Sequence, residues 1–231
     1  MAKVTVVPVS LGFVKAFLVR GRKTIVVDAG MRGSGKKILA ALERLGVKPR
    51  SVSLILLTHG HRDHIGGVSE LAAALKCLVA IHAADADALR TGIQPATTAV
   101  GPVLGLAMAI ARGSKKAKIR PTLPPFKPEV VFKRTLDLAP YGVAGTVEST
   151  PGHTPGSVTM YLGNGEAIIG DLLRGSMTAS STPRYPYVAE DLTEVRRSIG
   201  RLLDRKPSKV WTSHGGPLTA DAVRKFLRGV T

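Results

Sequence analysis

The sequence predicts an α/β protein in which two β-sheets pack face to face with helices on their outer sides. Two observations carry that expectation. Short β-branched and apolar runs recur in both halves of the chain, and segments with helical spacing of apolar residues accompany them in each half. A length of 231 residues suffices for one substantial core, so a single domain over 1–231 is expected. Hydrophobic residues at 44% and charged residues at 21% argue against disorder.

In the first half, residues 3–9, 13–19 and 24–28 read as strands, with Gly21-Arg22 turning between the last two. Gly33-Ser34-Gly35 opens a helix over 36–45, where Ile38, Leu42 and Leu45 share a face and Gly46 closes it. Residues 54–57 are apolar throughout, as a strand buried on both faces would be. A helix over 68–75 and a strand over 77–81 follow. In the second half, strands are expected at 145–148, 157–162 and 167–169, then a helix at 192–203, a strand at 209–212 and a helix at 220–227. The least regular region runs from 84 to 127. Its apolar stretch, 97–111, is broken by Gly101-Pro102 and is too short to span a bilayer. It reads as a lid or a homodimer contact over the site, with an interfacial membrane helix as the alternative.

The formal net charge of +17 attracts anions: nucleic acid, acidic membranes or anionic substrates. The densest run, 112–120, holds five Lys or Arg and no interleaved aromatic, and aromatics are only 4% of the chain. Base stacking needs such side chains, so nucleic acid ranks below an anionic small molecule as partner. Residues 1–10 alternate as a strand does, without an apolar run and cleavage site, so a cytoplasmic location is expected. The one cysteine, Cys77, lies in an apolar stretch and reads as a buried structural thiol. Single occurrences of Asn164, Gln94 and Cys77 point to a thermophilic origin.

The chemistry concentrates in Thr58-His59-Gly60-His61-Arg62-Asp63-His64-Ile65-Gly66-Gly67. Three His and an Asp this close at a strand end would crowd buried polar groups unless a cation holds them. His59 and His61 face the same way if the chain is extended there, and Asp63 and His64 turn elsewhere as a helix begins.

This motif resembles that of the metallo-β-lactamase superfamily, His-X-His-X-Asp-His followed by Gly-Gly. Later stretches match it too: His153 in Thr150-Pro151-Gly152-His153, Asp171 in Ile168-Ile169-Gly170-Asp171, and His214 in Thr212-Ser213-His214-Gly215-Gly216. Of six histidines only His82 falls outside the pattern, and it reads as a strand-end residue without catalytic duty. The resemblance implies a four-layer αββα sandwich of two mixed β-sheets flanked by helices. It also implies two divalent metal ions, with zinc first and iron or manganese as alternatives. One would be held by His59, His61 and His153, the other by Asp63, His64 and His214, with Asp171 bridging.

Asp28 would orient a ligand histidine from behind, and Asp63 counts among the catalytic residues as well as the ligands. The implied reaction uses a metal-bridging hydroxide to open a thioester, lactone or other activated ester, as glyoxalase-II-like and lactonase-like members do. Arg174, Tyr185 and Tyr187 are candidates for holding the carbonyl oxygen or an anionic group of the substrate. A metal-dependent ribonuclease or phosphodiesterase and a mononuclear iron persulfide oxygenase are the alternative functions.

Overall fold

Strands buried at nearly every position need a packed layer on each side, and β-strands 24–27, 52–56 and 158–162 of this chain are of that kind. The structure, a computed structural model, describes residues 3–94, 98–100, 123–176 and 178–229. The first sheet runs β1 (Thr5–Ser10), β2 (Lys15–Arg20), β3 (Thr24–Val27), β4 (Val52–Leu56), β5 (Leu78–His82) and then Val130–Phe132, in that spatial order. Its first three strands pair antiparallel and the rest parallel, which makes the sheet mixed. The second sheet has the order Lys209–Trp211, Glu166–Ile168, Val158–Leu162, Gly145–Ser149, Thr135–Asp137.

Three apolar layers hold these sheets. Along β3, Ile25 and Val27 face the core between the sheets, while Val26 faces the outer helices. Along β4, Leu54 and Leu56 point inward and Ile55 outward, the two-residue alternation of a strand. The inward set meets Val147, Val158, Met160 and Ile168 of the second sheet. Outside the first sheet lie α1 (Gly35–Arg44), α2 (Arg62–Ile65), α3 (Val68–Leu75) and α4 (Ala86–Thr91). Of these, α1, α3 and α4 bury Ile38, Leu42, Leu71, Leu75 and Leu89 against it. Outside the second sheet, Leu192–Asp204 and Ala220–Arg228 bury Val195, Ile199, Leu202 and Val223. The result is a four-layer αββα sandwich.

The helix expected at 68–75 forms over those residues, and other expected elements shift by one or two positions, as element ends do. The strands Val130–Phe132 and Thr135–Asp137 were not expected, since three residues are too few to show an alternation.

In the irregular region, residues 83–85 form a short turn and α4 belongs to the outer helical layer. Thr98–Ala99 pairs with Val188–Ala189, and Phe126 packs on the outer core and donates its N–H to the Leu89 carbonyl. The basic run 112–120 and most of the apolar stretch 97–111 lie outside the described residues. Cys77 is half-buried at the margin of the outer core, not enclosed, and burial pushes its thiol up to about 11.

Candidate metal centre

Each candidate side chain stands just beyond the end of a strand, and the stacked sheets bring these ends together. Asp28 follows β3, the His59–His64 motif follows β4, His153 follows Gly145–Ser149, Asp171 follows Glu166–Ile168, and His214 follows Lys209–Trp211. Close backbone approach is needed where the motif meets the loop after β3. A Cβ on Gly67 would sit 2.4 Å from the Ala29 carbonyl oxygen, so only glycine fits. Asp28 takes a left-handed conformation with φ of 64°, which Asp tolerates better than most residues, and its N–H donates to the Leu56 carbonyl at 2.9 Å.

Four imidazoles are oriented from behind through Nδ1. His64 Nδ1 donates to Asp28 Oδ2 at 2.8 Å, His153 Nδ1 to the Val188 carbonyl at 2.7 Å, and His214 Nδ1 to the Phe13 carbonyl at 2.8 Å. Thr58 Oγ1 donates to Asp28 at 2.9 Å and so accepts from His59 Nδ1 at 3.0 Å. Each of these bonds places a proton on Nδ1 and turns Nε2 inward. His61 instead turns Nδ1 inward. His153 Nε2 then lies 3.1 Å from His59 Nε2 and 2.8 Å from His61 Nδ1.

Asp171 spans the rest. Its Oδ2 is 3.7 Å from His153 Nε2 and 3.2 Å from His214 Nε2, and its Oδ1 is 3.6 Å from His64 Nε2. Asp63 Oδ2 lies 3.3 Å from His214 Nε2 and 3.6 Å from His64 Nε2.

The electrostatics divide the cluster in two. Burial lowers His59 well below the usual range and His61 to about 3, with neighbouring imidazoles adding to the effect. His153 is lowered too, chiefly by burial. Burial, the largest single influence, would lower His64 and His214 as well, but the carboxylates together outweigh it: Asp171 and Asp28 raise His64 well above its usual value, and Asp171 and Asp63 lift His214 to about 10. Burial alone would raise Asp171, yet His64 and His214 hold it well below the carboxylate range.

Inward lone pairs on His59 and His153, 3.1 Å apart, repel each other unless something positive lies between them. Buried His64 Nε2 and Asp171 Oδ1 also have no hydrogen-bond partner among the described residues. The groups His59/His61/His153, His59/His64/Asp171 and Asp63/His64/His214 each gather their ligand atoms within 4.8 Å. These nitrogen and oxygen donors fit a divalent cation, so the His and Asp residues are positioned for a metal site.

The substrate candidates separate. Arg174 lies 3.9 Å over the Tyr187 ring, and that ring meets His214 at a centroid distance of 6.4 Å. Tyr185 makes its contacts with other residues. Its ring packs on Phe226 and its hydroxyl accepts from Arg196 Nε at 2.9 Å. His82 closes β5, with Nε2 on the Lys133 carbonyl. One contributor escaped the sequence reading: Thr58, which could have been found as a polar residue just past an apolar strand.

A sequence profile of the metallo-beta-lactamase superfamily matches residues 9–214. The chain is 26% identical over 197 residues to the beta-lactamase-like protein 2 homolog of Drosophila melanogaster, covering 84% of this chain but 56% of that protein. It is 25% identical to a probable metallo-hydrolase of Bacillus subtilis, covering 88% of this chain and 79% of the relative. A shorter stretch of 56 residues is 46% identical to an exodeoxyribonuclease of Streptococcus pneumoniae, 24% of this chain and 20% of that one. Among solved structures, the BLEG-1 B3 metallo-beta-lactamase shares the fold with a TM-score of 0.70 at 23% identity, over 96% of this chain and 99% of that one.

Proposed function

This chain belongs to the metallo-beta-lactamase superfamily, and from that premise we propose that it is a metal-dependent hydrolase of a small thioester, lactone or other activated ester carrying an anionic group. The observation that carries the reading is the set of four imidazoles locked through Nδ1 with Nε2 turned toward Asp171 and its neighbours. In this reading His59, His61 and His153 hold one ion and Asp63, His64 and His214 a second, with the Asp171 carboxylate shared. Zinc suits the donors best. Such ions supply Lewis acidity and make hydroxide available from water near neutral pH.

The chain's own side chains then orient and select. Asp28 and Thr58 fix His64 and His59, and the carbonyls of Phe13 and Val188 fix His214 and His153. Arg174, stacked on Tyr187 beside His214, would in this reading take an anionic group of the substrate. Two described residues of the segment 84–127 reach this side of the site: Gln94 Oε1 accepts the Arg62 N–H at 3.0 Å, and the Val100 N–H donates to the Tyr187 carbonyl at 2.9 Å. That supports its reading as a cover over the substrate.

A phosphodiesterase is the second reading, favoured by the net charge of +17 and the short match to an exodeoxyribonuclease. One experiment separates the two. Purified protein is assayed for metal content, then screened against thioesters, lactones and phosphodiesters. About two divalent ions per chain are expected, with occupancy falling in Asp171→Ala and ester cleavage exceeding phosphodiester cleavage. Arg174→Ala should raise KM for anionic esters and leave neutral ones unchanged. Full occupancy in Asp171→Ala sinks the shared-carboxylate assignment, and cleavage of phosphodiesters alone replaces the ester reading.

A further inference from the structure

Two separate loops must hold their histidines in register for His59, His61 and His153 to meet, and one buried carboxylate joins these loops. Asp85 is 1% exposed and precedes α4. Its Oδ2 accepts the Gly60 N–H at 2.6 Å, the peptide between His59 and His61. The same oxygen accepts the Thr154 hydroxyl at 2.7 Å, and Oδ1 accepts the Gly156 N–H at 2.9 Å, both on the loop that carries His153. All its neighbours here donate, so the carboxylate is the acceptor at the centre of the set. Gly156 leaves room for it: a Cβ there would lie 2.4 Å from the Asp85 Cγ.

We infer that Asp85 is a positioning residue that clasps the His59–His61 loop to the His153 loop and thereby sets the affinity of the three-histidine group for its cation. The inference rests on reading that group as a metal site. Asp85 touches none of the imidazoles through the bonds above; it acts through the backbone on either side of them. Buried hydrogen bonds to a charged acceptor are strong, and their loss leaves two backbone N–H groups without a partner in a closed space. The loops would then be free to separate.

The test is zinc affinity by chelator competition in wild type, Asp85→Ala, Asp85→Asn and Thr154→Val, with circular dichroism of the metal-free proteins. Asp85→Ala should lower affinity roughly 10–100-fold, the scale of losses behind metal ligands. Asp85→Asn keeps one acceptor oxygen and should recover part of that loss. Thr154→Val removes a single bond and should lower affinity less than Asp85→Ala. With cobalt(II) as probe, the visible absorption of Asp85→Ala should change in shape, since the ligand geometry changes. If the variants lose thermal stability but bind zinc and cobalt(II) as wild type does, Asp85 is only a structural tie and the inference is overturned. If Asp85→Ala does not fold, unchanged affinity in both Asp85→Asn and Thr154→Val overturns it equally. Wild-type protein that binds no zinc overturns the metal-site reading itself, and this inference with it.

Discussion

An imidazole that donates from one nitrogen offers a lone pair at the other, so the residue behind each histidine governs what the histidine can bind. Asp28 does this twice over. It accepts from His64 Nδ1 directly, and it accepts the Thr58 hydroxyl that in turn receives His59 Nδ1. It also takes the Thr58 N–H at 2.8 Å, so its oxygens face donors only. In Asp28→Asn one oxygen becomes an NH2 group that meets those donors head on. The expected result is a fall of about 10–100-fold in metal affinity or turnover, with the circular dichroism spectrum retained. Unchanged metal content and kinetics would reduce Asp28 to a turn residue with positive φ. That Asp28 sits near the site was legible in the sequence through the family pattern. The path through Thr58 was not, because it depends on which way a hydroxyl points.

At the scale of elements, the helix Leu192–Asp204 braces the His153 loop. Its N-cap residue Asp191 accepts the Glu194 N–H at 3.0 Å with its side chain, and its own N–H donates to the Gly152 carbonyl at 2.9 Å. These two bonds can be separated. Asp191→Ala removes the cap and keeps the backbone donor, so unfolding stability should fall by about 0.5–2 kcal/mol while zinc affinity holds. Denaturant unfolding and chelator competition on the same variant check both halves; a large affinity loss would show that the cap itself holds the loop. The helix was legible in the sequence because Val195, Ile199 and Leu202 recur at helical spacing over 13 residues. The strand Val130–Phe132 was not, since three residues carry no period and its pairing with β5 is a long-range event.

Across the whole molecule, the candidate ligands come from both halves of the chain and from loops of both sheets. A cation that binds them binds only the folded state, and so adds to stability by mass action: about 2.7 kcal/mol when free metal is 100 times Kd. Chelator should therefore lower the melting temperature, and zinc restored in excess should raise it again in wild type more than in Asp171→Ala. Identical melting curves with chelator and with zinc would argue against a metal joining the halves. No helix among the described residues is long and apolar enough to cross a membrane.

The sequence by itself determined the chemistry of the donors and the layered fold, because donor type is a property of each residue and strand or helix period is a property of neighbours along the chain. Only the tertiary structure decided which nitrogen of each histidine faces inward, that the Tyr185 hydroxyl meets Arg196, and that Asp85 joins two loops. Those outcomes depend on distances between residues as far apart as Gly60 and Gly156, and such distances exist only once the sheets have packed.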